Sequence, residues 1–155
     1  MRTRIEITGE NRPDEVVIYC KEITPETKAI EALLNRRFAE PSGLSFYKGD
    51  QQFFLSLREV LFFDTEDNHV YAHTKDSSYE VRMRLYELEA ALPRYFVRVS
   101  RSSIVSILNV FSIHKNLTGL SLLTFRDTHK EIYCSRMYGK ELAMKMNERY
   151  LYENS

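Results

Sequence analysis

Val60-Leu61-Phe62-Phe63-Asp64-Thr65-Glu66-Asp67-Asn68-His69-Val70-Tyr71-Ala72-His73-Thr74 holds two apolar runs of strand length around a polar turn, Thr65 to Asn68. β-Branched and aromatic residues crowd both runs, and the turn residues are those that tolerate unusual backbone angles. The stretch therefore reads as a β-hairpin. The same grammar continues outward. Leu44 to Lys48 and Gln52 to Ser56 are split by Gly49-Asp50, a hairpin signal. Downstream, Lys75 to Ser78 turns the chain before Tyr79 to Arg82, and Phe96 to Val99 is strand-like. Val110 to His114 and Leu120 to Phe125 flank the turn Lys115 to Gly119. Arg126 to His129 turns again before Glu131 to Cys134. Within residues 44–150, helical spacing is confined to Leu85, Leu88 and Leu92, closed by Pro93, and to Tyr138, Leu142, Met146 and Tyr150 within residues 137–150. Short strands at near-regular spacing imply a mainly β fold, an antiparallel sandwich or barrel-like body with a few short helices.

The segment ahead of this body differs. Arg4 to Ile7 alternates like a strand, Gly9 to Pro13 is turn chemistry, and Val16 to Cys20 is a β-branched run. Thr24 then has the character of an N-cap with Pro25 at the first helical position. Ile30, Leu33, Leu34 and Phe38 form one apolar stripe on a helix over residues 25–39, which Pro41-Ser42-Gly43 ends. The expected organisation is a small β–α extension over residues 1–43, a β body over residues 44–150 and a tail over residues 151–155. The helix stripe either supplies a dimer or partner contact or packs onto the β body.

The 155 residues suit one ordinary domain with a small appendage. No apolar run is long enough to span a bilayer, so no direct membrane insertion is expected. With no leader pattern at its start, the chain is expected to be cytoplasmic, with Cys20 and Cys134 reduced and within strands. Net charge is zero, but residues 94–149 carry ten basic and four acidic side chains, while residues 44–93 carry five and nine. A basic C-terminal third can present one positive face.

Catalytic signatures are missing. There is no G-x-S-x-G elbow, H-E-x-x-H pair or Walker loop, and five glycines are too few for a phosphate-cradling loop. His69 and His73 are four apart, but on a strand that spacing separates them by about 13 Å, too far for one ion. Neither an enzyme, a cofactor nor a metal is expected. An enzyme would need a perturbed His or Asp in a cleft.

Three turn regions instead gather side chains that read bases or hold phosphates. They are Glu66-Asp67-Asn68-His69, Arg98-Val99-Ser100-Arg101-Ser102-Ser103 and Cys134-Ser135-Arg136-Met137. Arg can bridge guanine O6 and N7, Asn can pair with an adenine edge, and Ser or His can reach a base or a phosphate. All three lie at strand ends, where a rigid sheet can aim them. The bland account is that polar residues collect in turns, and that Ser135 caps the last helix.

The run from Val60 to Thr74 resembles the opening of a LytTR-type DNA-binding domain. Leu85-Tyr86-Glu87-Leu88-Glu89, Leu92-Pro93, Tyr95 to Val105 and Ile132 to Tyr138 continue the resemblance in order and spacing across about residues 44–150. It implies a body of small antiparallel sheets with short helices, in a bacterial transcription regulator. Such regulators place sheet-edge loops into successive major grooves of double-stranded DNA and often bind direct repeats as a homodimer. The base-reading positions it implies are His69, Arg101 and the Arg136-Met137 step, with Asn68, Ser100 and Ser102 as supporting or phosphate contacts. The 43 residues ahead of the body are too few for a phosphoacceptor receiver domain, so the likeness is to the family's stand-alone regulators. Some of these are encoded beside a small membrane protein that restrains them, and that regulator is a partner implied by the resemblance alone.

Three positions depart from the pattern. Ser100 stands where the family usually has His, Ser106 where it usually has Asn, and Met137 where a second Arg is common. A bidentate base contact is worth about 1–3 kcal/mol, so these changes are expected to shift the preferred sequence or lower affinity. They also motivate an alternative, a protein-interaction module of the same fold with DNA binding lost. Phosphate contacts dominate affinity and the basic third is intact, so DNA binding is expected to persist.

Overall fold

The computed structural model describes residues 5, 15–38 and 44–153. In chain order its elements are α1 (Pro25–Phe38), β1 (Phe46–Lys48), β2 (Gln51–Phe53), β3 (Phe62–Glu66), β4 (His69–His73), β5 (Ser78–Val81), α2 (Leu85–Ala91), β6 (Phe96–Ser100), β7 (Ser103–Ser106), β8 (Val110–Lys115), β9 (Ser121–Phe125), β10 (Glu131–Cys134) and α3 (Gly139–Asn147). A 3-10 turn at Arg136–Tyr138 leads into α3 and another, Arg149–Leu151, follows it. The fold is mainly β, as the residue pattern implies, and every strand pairing is antiparallel.

The hairpin expected from Val60 to Thr74 is β3–β4, in register from Phe62 opposite His73 to Glu66 opposite His69. Its connection is tighter than the expected four-residue turn. Only Asp67 and Asn68 lie outside the strands, at φ +50° and +65°. Positive φ at both central residues matches the right-handed twist of the strands, and Asp and Asn accept it better than other non-glycine residues. This hairpin sits near the middle of a seven-stranded sheet ordered β2-β1-β5-β4-β3-β7-β6. A second sheet, β10-β9-β8, covers part of it. Phe62 of the first sheet stacks on Phe125 of the second at 5.5 Å between ring centres. Phe63, Val99, Ile104, Val105, Ile107 and Leu123 are fully buried in the same core.

Two sequence expectations are corrected. Ser103-Ile104-Val105-Ser106 offers only two apolar residues and predicts no strand, yet it forms β7, with all four residues buried between β3 and β6. Val16 to Cys20 is not a strand; Val16, Val17, Tyr19 and Cys20 are exposed, and among the described residues no strand pairs with this run. A β-branched run makes a strand only where a neighbour supplies the ladder. Apart from Ile5, the expected strand Arg4 to Ile7 lies outside the described residues, as do the turns Gly9 to Pro13 and Pro41 to Gly43.

Helix α1 starts as its residues dictate. Thr24 Oγ1 accepts from the Thr27 amide at 3.2 Å and the Thr24 carbonyl accepts from Lys28 at 3.0 Å. Of its apolar stripe, Leu33 is exposed and Ile30 and Leu34 are half-buried, and none belongs to the core cluster. The Phe38 side chain lies outside the described residues. At the other end, Tyr152 packs beside Tyr95, 6.5 Å between ring centres. Among the described residues no helix is long and apolar enough to cross a membrane.

Candidate nucleic-acid interface

The alternating direction of antiparallel strands brings all three polar turn regions to one end of the body. β3 and β7 are neighbours, with Asp64 opposite Ser103, so the β3–β4 and β6–β7 turns emerge side by side. The Thr65 amide donates to the Ser102 carbonyl at 2.9 Å and ties one turn to the other. The Ser135 amide donates to the Val99 carbonyl at 2.8 Å, which fixes the third region against the end of β6.

The first loop is acidic. Glu66 and Asp67 are exposed beside Asn68 and His69, which are exposed as well. His69 Nδ1 faces Glu80 Oε1 at 3.2 Å, so the neighbouring strand β5 orients the ring. His73 points elsewhere and meets Asp64 Oδ1 at 2.7 Å. The two histidines thus have separate carboxylate partners, and among the described residues no cluster of three His, Cys, Asp or Glu is placed to hold a metal.

The second loop is built around a β-bulge between Arg98 and Ser100. A bulge adds one residue and re-aims the side chains beside it. Arg98 holds the result. Its Nε donates to the Ser100 carbonyl at 2.7 Å, Nη2 donates to the Arg101 carbonyl, and Nη1 pairs with Glu89 Oε2 of α2 at 2.7 Å. Sequence reading places Arg98 in a DNA-facing run, whereas the structure spends its donors on the loop's own backbone. The Ser100 hydroxyl accepts from the Ser102 amide at 3.2 Å, closing the turn from inside. Arg101 is left exposed at the tip, and among the described residues no acid pairs with it.

The third loop follows β10 directly. Ser135 occupies the N-cap position of the 3-10 turn, but its hydroxyl makes no capping bond, contrary to the bland expectation. Arg136 and Met137 are exposed, Met137 at 77% of its surface. The Arg136 stem lies against the β8–β9 turn: a Cβ on Gly119 would meet its Cγ and Cδ at 3.1 Å. Gly119 is at φ +89°, so glycine serves there both in backbone angle and in space.

One departure from the resemblance drops out of the interface. Ser106 is completely buried, 3.5 Å from Asn109 Nδ2. Asn109 also donates to the carbonyls of Arg58 and Val60 at 3.1 and 3.0 Å. Ser106 therefore belongs to the packing beneath β3, and its difference from Asn changes no surface group.

Acceptors in the first loop, guanidinium groups in the second and third, and one rigid sheet end behind them form a surface suited to a polyanion with addressable edges. The chain belongs to the LytTr DNA-binding domain family, whose model matches residues 50–147. That family is one of DNA-binding domains and not of enzymes. An HTH-type transcriptional regulator of Staphylococcus aureus (strain bovine RF122 / ET3-1) is 33% identical over 96 residues, 60% of this chain and 63% of the relative. A second, from strain NCTC 8325 / PS 47, is 30% identical over 93 residues with the same coverage. The match thus spans just under two thirds of these relatives. In fold, the chain is similar to the LytTr DNA-binding domain of a Bacillus cereus protein, with a TM-score of 0.63, 18% identity, 68% of this chain and 98% of that one covered. Among the described residues no two α-helices follow one another directly, so no helix-turn-helix is formed.

Proposed function

We propose that this chain is a transcriptional regulator that binds double-stranded DNA sequence-specifically, its three loops entering successive major grooves. The observation that carries the reading is the pair of backbone bonds, Thr65 to Ser102 and Ser135 to Val99, which hold the loops at one end of a stiff sheet. Groups fixed to a common frame can meet a periodic ligand without an ordering penalty at each loop. Arg101 reads a base edge, and Arg136 with Met137 reads a second. His69 reads a third, with Asn68 beside it as a supporting contact, in a loop whose own carboxylates disfavour phosphates. Ser100 and Ser102 shape the second loop and offer hydroxyls to the backbone. Binding to direct repeats as a homodimer follows if the apolar stripe of α1, with Leu33 exposed, supplies the contact between copies.

Selection from a random duplex pool, followed by a salt titration on the enriched sequence, tests this. Enrichment of a repeated site with a steep negative salt slope is the expected result. Weak binding without enrichment would favour the protein-interaction alternative, whose motive is already reduced by the burial of Ser106. Sedimentation of the chain lacking residues 1–43 tests the dimer contact, and an unchanged dimer would remove it.

A further inference from the structure

A cleft of about 640 Å³ opens beside the third loop, between the β8–β9 hairpin and the first turn of α3. Its polar walls are Lys115 at the end of β8, Arg136, and Lys140 in α3. Its apolar floor includes Ile113 and Leu142. No acidic residue lines it, and among the described residues neither Lys115, Arg136 nor Lys140 has an ion-pair partner. Three cations and no acidic residue around one groove make it locally positive on a chain of zero net charge.

The cleft is continuous with the loop end. Lys115 is opposite Ser121, and Ser121 is opposite Cys134, one residue before the Ser135 amide that bonds to β6. The stem of Arg136 rests across Gly119, so one guanidinium belongs both to the third loop and to the cleft. The hairpin itself is stiff at this end. Asn116 Oδ1 accepts from the amides of Thr118 and Leu120, both at 3.1 Å, and from the Thr118 hydroxyl at 2.7 Å.

We infer that this cleft is a fourth DNA-contacting element, which seats one strand of the sugar-phosphate backbone of the duplex whose bases the three loops read. Lys115 and Lys140 are its phosphate contacts, from opposite walls. The apolar floor suits the deoxyribose faces between phosphates. The inference rests on the proposed function and extends it to a hairpin outside the three loops. Its role is affinity and register, since phosphate contacts carry no sequence information directly.

The test uses the full chain and the enriched duplex. The doubly substituted variant Lys115→Gln/Lys140→Gln is compared with wild type and with Lys75→Gln, a lysine near the other end of the sheet that pairs with Asp127. Each lost phosphate contact lowers the slope of log affinity on log salt by about 0.9. The double variant is expected to lose about 2 from the slope and to bind several tens of times more weakly near 0.1 M salt. Its preference for the enriched over a scrambled duplex is expected to stay the same, and Lys75→Gln to behave as wild type. A double variant with the wild-type slope would overturn the fourth contact and leave the three-loop reading standing. An equal loss in Lys75→Gln would also overturn it, by showing only the effect of net charge. Wild-type protein without salt-dependent duplex binding would overturn both.

Discussion

The Thr65 amide lies 2.9 Å from the Ser102 carbonyl, and this single backbone bond couples the acidic β3–β4 turn to the loop that carries Arg101. It continues the β3–β7 ladder past its last paired residues, Asp64 and Ser103. The two loops therefore move with the sheet, and a contact made by one fixes where the other falls. Arg101 stands at the free tip of that unit with no internal work to do. Replacing it with Ala should leave thermal stability unchanged, within about 0.5 kcal/mol. It should weaken binding to the preferred duplex by about 1–3 kcal/mol and relax the preference at one base pair. Equal loss on every sequence, measured by competition titration, would make Arg101 a phosphate contact.

Arg98 predicts the opposite pattern. Its donors brace the carbonyls of Ser100 and Arg101 and tie them to Glu89 of α2. Arg98→Ala should lower stability by about 1–3 kcal/mol, because loop carbonyls lose charged donors. It should also reduce sequence discrimination, since the bulge no longer aims Arg101. Arg98→Lys should recover little, because a point charge cannot replace a planar fork with several donors. A melting curve beside a binding titration separates the two arginines. Wild-type melting for Arg98→Ala would show that the brace is dispensable.

How far the sequence reaches is clear at this loop. Strand positions were readable wherever apolar residues ran long enough, as in β3, β4, β9 and β10, and the polar turns between them identified the exposed loops. β7 was not readable, since two serines of Ser103-Ile104-Val105-Ser106 are buried by strands remote in sequence. For the same reason Ser106 looked like a surface departure, though it is sealed under Asn109. Nor could spacing separate Arg98 from Arg101. Alternation along a strand puts residues three apart on opposite faces without saying which face carries the loop's ligand, and the bulge that breaks the alternation between them leaves no mark in residue type. The cleft was invisible too, because Lys115 and Lys140 are 25 positions apart.

Asn68 separates a turn requirement from a contact. At φ +65° the backbone favours Gly or Asn. Asn68→Gly should keep the hairpin and remove only the side-chain amide. Asn68→Val should cost about 1–2 kcal/mol from the left-handed backbone alone. If Asn68 reads a base, both variants lose discrimination while only the second loses stability. Full discrimination in Asn68→Gly would confine this residue to the turn.

The two thiols should differ in reactivity. Cys20 is exposed, whereas Cys134 is completely buried, and burial pushes its thiol above the ordinary value of 9.0. A thiol reagent near pH 8 should modify one cysteine quickly and the second only on unfolding. The sign of the pH effect follows. A folded value above the unfolded one gives stability that is present below the unfolded value and lost as pH climbs through the folded one. Cys134→Ala should lack that alkaline loss, in chemical denaturation followed from pH 8 upward. Rapid modification of both thiols in the native protein would show that the start of the third loop opens readily.

Gly119 joins backbone strain to the interface. At φ +89° any side chain is disfavoured, and the first atom of one would press on the Arg136 stem at 3.1 Å. Gly119→Ala should therefore destabilise the chain by about 1–2 kcal/mol. Its larger effect should be on binding, because the contact that positions Arg136 gives way as the stem shifts. Arg136→Ala should reproduce the binding loss with wild-type stability. Combining the two changes should add little further loss in binding, since both act through one guanidinium. Fully additive binding losses in that double-mutant cycle would show that Gly119 acts on DNA through the hairpin and not through Arg136.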